Sequence, residues 1–200
     1  MPNPRSHEKQ DSRTREQKDA RMIFGLFRRP AKDPVIDRLH GEIMAAARQP
    51  ALFVDFGVAD TVEGRFEAVA LMASIVLRRL MMLPAPGPEL AQQLTDDIFA
   101  RFDIALREIG VADAGVAKRM KTMAQGFLGR AAAYRTALES SDQAELTAAI
   151  ARNVHGGEPS HAAALAAYAR QCAGALEACG LEHYLKGPLP IPAAQSCGSS

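Results

Sequence analysis

Ala68-Val69-Ala70-Leu71-Met72-Ala73-Ser74-Ile75-Val76-Leu77 decides the fold class. Ser74 is the one polar residue in this run, so a helix built from it has no polar face. Such a helix belongs at the centre of a bundle, with neighbours on every side. The run reaches only about half the length of a membrane span. Upstream, Asp60-Thr61-Val62-Glu63 has capping-box spacing, with Glu63 three residues after Asp60. The helix therefore starts near Asp60 and runs to about Leu83. Pro84, Pro86, Gly87 and Pro88 then stop it.

Working outward, amphipathic segments appear on both sides. Asp33 is a candidate N-cap with Pro34 as the first helical residue. Val35, Ile36, Leu39, Ile43 and Met44 follow at helical spacing, and this helix should end near Gln49, before Pro50. Residues 51–59 form an apolar connector; a strand there would have no second strand to pair with. After the central run, Leu90, Leu94, Ile98, Phe102, Leu106 and Ile109 mark a third helix over about 88–109, stopped by Gly110. Asp113 caps a fourth, whose stripe is Val116, Met120, Met123, Phe127, Ala131, Tyr134 and Leu138. Its steps of three and four throughout predict one buried face. Asp142 and Glu145 repeat the capping-box spacing and open a fifth helix to about Asn153, ended by His155-Gly156-Gly157. A sixth, rich in alanine, spans about 159–179. Six helices and no strand pair predict an all-α, single-domain bundle over residues 22–185.

The ends read differently. Residues 1–21 are polar, with no apolar periodicity, and are expected to be a disordered tail. Met22-Ile23-Phe24-Gly25-Leu26-Phe27-Arg28-Arg29 changes texture, which marks Met22 as a candidate alternative start. That apolar cluster with two arginines suits packing on the core or contact with a membrane surface. Residues 186–200, with three prolines and small polar residues, are expected to be a loose tail. The first 33 residues hold nine Lys/Arg against five Asp/Glu, although the whole chain has a net charge of only +1. Bulk charge therefore does not make this chain a polyanion binder. Cys172, Cys179 and Cys197 are too clustered for a disulfide framework and fit a reducing compartment, so a cytoplasmic location is expected, at most peripheral at the inner face of the membrane.

Chemical templates do not assemble. Gly126 and Gly129 lie inside a helical pattern with no strand before them, unlike a phosphate loop. His155 and His161 could ligate a metal only together with Cys172, a set that matches no metal-ligand spacing, and they read as solvated helix-end histidines. Asp96-Asp97 lacks the third acid of a magnesium-binding Asp-Asp-x-x-Asp cluster, because Ala100 stands in its place. No cofactor or metal is expected, and no enzyme activity. The remaining polar features are recognitional or structural. Arg65 and Arg130 flank buried positions, and each suits either an ion pair (with Glu63, Asp97 or Asp103) or a partner contact. Lys118, Arg119 and Lys121 form a solvated basic face that suits an acidic or ribosomal partner. Met72, Met81 and Met82, with Phe53 and Phe56, suit either core packing or an adaptable apolar surface. The absence of Trp and the low aromatic content argue against base stacking, and no sequence-specific nucleic-acid partner is expected.

Three blocks in series resemble the ubiquinol–cytochrome c chaperone family. They are Val58-Ala59-Asp60-Thr61-Val62-Glu63-Gly64-Arg65-Phe66-Glu67; Phe102 to Val111 with Asp113, Gly115, Val116 and Lys118; and Phe127-Leu128-Gly129-Arg130 with Ala133-Tyr134, followed by Ala151-Arg152-Asn153-Val154. The resemblance covers about residues 35–180. It implies an all-helical, non-enzymatic assembly factor that binds newly made cytochrome b as client, acts beside a small partner protein and associates with the ribosome. The motif positions carried over are Asp60, Gly64, Arg65, Gly110, Asp113, Gly129, Arg130 and Tyr134. The polar 1–21 extension replaces a mitochondrial targeting region and points to a bacterial member. The rival reading is a helical protein that holds a lipid or quinone in a closed apolar cavity.

Overall fold

The computed structural model describes residues 33–108, 113–158 and 160–195. The 1–21 tail, the Met22–Arg29 cluster, Ile109, Gly110 and Cys197 lie outside them. The elements are α1 (Pro34–Ala46), α2 (Pro50–Val54), α3 (Val62–Met82), α4 (Gly87–Glu108), α5 (Asp113–Glu139), α6 (Gln143–Val154), α7 (Ala162–Glu177) and α8 (Leu181–Lys186). The described residues contain no strand. The six expected helices are present, and α2 and α8 are additional short ones.

α3 is the axle. Every residue from Ala68 to Leu77 is buried, and α3 touches α1, α4, α5, α6 and α7. The remaining helices bury one face each. On α5 the stripe is buried at Val116, Met120, Phe127, Tyr134 and Leu138 and half-buried at Met123 and Ala131. On α4 the stripe is buried at Leu90, Leu94 and Ile98 and only half-buried at Phe102 and Leu106. An aromatic chain closes the α3–α4–α5 seam. Phe66 lies 5.8 Å from Phe102, and Phe99 lies 5.4 Å from Phe127 in edge-to-face packing.

Local chemistry corrects several boundaries. The N-cap of α3 is Thr61, whose hydroxyl accepts from the Gly64 amide at 3.1 Å. Asp60 instead accepts from Arg65. Pro50 does not merely stop α1; it stands in the first turn of α2, where its missing N–H costs nothing. The expected caps Asp33 and Asp142 hold, accepting from Val35 and Ala144 at 2.9 and 2.8 Å. The α6 stop is also as expected, with Gly156 and Gly157 at φ of 61° and 101°. Arg170 on α7 was not singled out by the sequence. It donates to the Ser140 and Ala137 carbonyls at 3.1 and 3.3 Å, so it caps the end of α5.

Residues 187–195 carry no helix, in keeping with a tail, but they are tied down as far as Ala194. Arg38 donates to the Tyr184 and Gly187 carbonyls. The Leu189 amide donates to Glu42 at 2.7 Å, and Tyr168 donates to the Pro192 carbonyl at 3.0 Å. Leu189 is itself buried.

Candidate functional site

The residues singled out from sequence fall into three groups in space. The first group is core. Phe56 is 3% exposed and packs against Tyr168, with ring centroids 5.5 Å apart. Met72 is 1% exposed. For Phe56, a candidate partner contact, this is a correction: the connector before α3 folds it inward and it offers a partner no surface. Met72 takes its core-packing alternative, as its place in the central 68–77 run implies. Tyr134 is also fully buried, and burial raises the pKa of its phenol. Its motif role is packing.

The second group is polar. Arg130 makes a two-pronged pair with Glu67, which is none of the three partners suggested by the sequence. The Glu67 side chain is 10% exposed and that of Arg130 25%. Arg130 also lies 5.5 Å over the ring of Phe66. This pair bolts α5 to α3 beside the aromatic seam. Arg65 is different: it pairs with Asp60 at 2.7 Å, with side chains 57% and 63% exposed, and covers half-buried Phe53 at 5.5 Å. It organises the entry to α3. Gly64 has its own reason. A Cβ there would collide with the Ala59 carbonyl oxygen, so the chain closes on itself at this point through a bare backbone. Gly129 has none, since a Cβ there would meet nothing within 4 Å. α5 opens at Asp113, while Gly110 is outside the described residues.

The third group is exposed and lies together. Met81 and Met82, at the end of α3, are 60% and 58% exposed. Across from them on α5, Leu128 is 58% exposed. With Leu77, Ala131 and Ala132 they line an open groove of about 500 Å³ between the two helices, rimmed by Arg78, Arg135 and Glu139. Leu128 was missed because it lies off the buried stripe of α5. The signal was a leucine next to Phe127 that fits no core position. Lys118, Arg119 and Lys121 are exposed on the first turns of the same helix. Arg78 is committed to Glu177 at 2.6 Å. By contrast, Lys118, Arg119, Lys121 and Arg135 make no ion pair with a described residue.

The remaining titratable groups serve the frame. Asp97 accepts from Arg101 at 2.8 Å and lies 2.9 Å from His40 Nδ1. Burial, then the Arg101 charge, lowers the His40 pKa against the opposing pull of Asp97 and Asp37. Asp96 accepts from Gln92, and Asp103 pairs with Arg107. His155 is half-buried and donates to the Phe56 carbonyl at 2.8 Å, while His161 stays exposed at the start of α7, 3.3 Å from the Asp55 carbonyl. Among the described residues, no three His, Cys, Asp or Glu side chains converge on a metal-sized point. No described helix is long and apolar enough to cross a membrane.

Comparison with known proteins fits this frame. A search of curated protein sequences found no match. Among solved structures, the crystal structure of the Cbp3 homolog from Brucella abortus is similar, at 33% identity and a TM-score of 0.73. The match covers 88% of this chain and 96% of that one. The family profile described as ubiquinol-cytochrome C chaperone matches residues 54–191, from the end of α2 to beyond α8. That range holds the Thr61 cap, the Arg130–Glu67 bolt and the groove between α3 and α5, and it exceeds two thirds of the sequence, so the chain belongs to the ubiquinol–cytochrome c chaperone family.

Proposed function

We propose that this protein binds newly made cytochrome b and promotes its assembly into the ubiquinol–cytochrome c reductase complex without catalysing a reaction. The observation that carries the reading is the α3–α5 groove. A chain of this family exposes Met81, Met82 and Leu128 side by side instead of burying them. Methionine adapts its shape to varied apolar partners, which suits a holder of hydrophobic helices. An open groove suits a segment of another protein better than the closed cavity that a lipid or quinone carrier needs. The basic turn at Lys118, Arg119 and Lys121 is an electrostatic aid to recruitment, toward acidic loops or the ribosome, and would act in a salt-dependent way. Membrane contact, if made, is peripheral.

The test is a deletion strain scored by difference spectrum for cytochrome b and by quinol–cytochrome c reductase activity. Both are expected to fall while other respiratory complexes stay largely intact. Normal cytochrome b and normal activity, in a strain with no paralogue, would sink the assignment.

A further inference from the structure

We infer that the exposed face of α5 and the groove beside it form a single docking site for one amphipathic helix, apolar along its centre and carrying carboxylates toward both ends. This inference rests on the chaperone reading and names the chemistry of the segment held. Lys121, Leu128 and Arg135 are seven residues apart in turn, so they lie nearly in line along the helix. The 14 steps from Lys121 to Arg135 span about 21 Å at about 1.5 Å per step, close to four turns. The middle of that line is apolar: Leu128 and Ala132 on α5 face Met81 and Met82 of α3. Lys121 stands beyond one end of the groove and Arg135 toward the other, neither ion-paired with a described residue, and Glu139 follows Arg135 by one turn on the rim.

Charge decides the occupant. A second copy docked antiparallel about Leu128 would set Lys121 against Arg135 of the other molecule at both ends. A parallel copy would set each cation against itself. Like charges so placed cost free energy, so self-pairing is disfavoured. A basic or uniformly apolar helix would leave the cations unanswered. A helix with carboxylates about four turns apart meets both, while its apolar centre covers Leu128 and the methionines.

The experiment uses the full chain and two fluorescent 21-residue amphipathic peptides with identical Leu/Ala faces, one flanked by Glu at both ends and one by Lys. Anisotropy should show the Glu peptide binding at least about tenfold tighter, a difference of about 1.4 kcal/mol. Leu128→Asp and Arg135→Glu should each weaken it about tenfold or more, and Ile104→Asp, at an exposed apolar site on α4, should not. Circular dichroism and sedimentation accompany each variant; Leu128 is exposed enough for its replacement to leave the fold intact. Equal binding of the two peptides, no binding at all, full binding by folded Leu128→Asp, or a wild-type dimer that Leu128→Asp dissolves would each overturn the inference. The deletion strain separates this from the chaperone reading. If wild type restores cytochrome b and folded Leu128→Asp restores it equally, the groove assignment fails and the chaperone reading stands. If deletion has no phenotype, the chaperone reading fails whatever the peptides do.

Discussion

α3 and α5 pack along one another in the bundle's main seam, and they are built on opposite plans. The middle of α3 is buried all round, so every side chain there is set by packing. α5 has a buried stripe from Val116 to Leu138 and, a third of a turn away, the exposed Lys121–Leu128–Arg135 line. An axle has no surface to spare for recognition. A helix at the edge of the bundle buries only the stripe it needs, and its outer face is free to carry another task.

The sharpest test of this contrast uses neighbours on α5. Phe127→Ala should cost about 3–5 kcal/mol, because a buried ring leaves a cavity. Leu128→Ala, one residue on, should change stability by no more than about 0.5 kcal/mol. Urea denaturation measures both, and similar losses would mean that α5 has no free face.

The bolt between the two helices is next. Arg130→Met should cost about 2–3 kcal/mol, mainly because Glu67 is left buried without its cation. Arg65→Met should cost under about 1 kcal/mol, since its pair with Asp60 is solvent-screened. A double-mutant cycle over Arg130 and Glu67 would isolate the coupling, and a value near zero would remove the bolt.

Glycines sharpen the comparison with opposite signs. Gly64→Ala at the start of α3 should destabilise by about 1–3 kcal/mol, as overpacking does, because backbone stands where the Cβ must go. Gly129→Ala on α5 should stabilise by up to about 1 kcal/mol through helix propensity. If it also weakens partner binding, the open space at Gly129 serves recognition.

The smallest effect concerns the α1–α4 contact, where His40 faces Asp97, Arg101 and Asp37. Its folded pKa lies below 6.5, so the unfolded chain takes up the proton first as pH falls. The stability due to neutral His40 is therefore complete above about 6.5 and declines below it. Denaturation of wild type and His40→Gln at pH 7.5 and 5.5 should show a shallower acid-side loss in the variant. A steeper loss would reverse the assignment.

Much of the frame was legible before any coordinates. Apolar spacing located all six major helices, since a stripe at 3.6-residue period has one economical solution in water. Asp33, Asp142 and the Gly156-Gly157 stop were readable because capping acts over two or three residues. The misses have the opposite character. Asp60 and Thr61 are both competent caps, and only the competing Arg65 decides between them. Pro50 ends one helix and begins another, a choice made by where α2 can bury Leu52.

The sequence by itself determined the helical class, the central place of residues 68–77, the buried stripe of α5 and, through three short blocks, the family. These are local or periodic signals, written within one or two turns of chain. Only the tertiary structure decided that Arg130 reaches Glu67 across 63 residues, that Phe56 is spent in the core, and that Met81, Met82 and Leu128 meet at one open groove. Such pairings join segments far apart in the chain, and a single sequence carries no periodicity that connects them. Burial has the same dependence, because an apolar residue becomes surface or core only when a neighbouring helix covers it or does not.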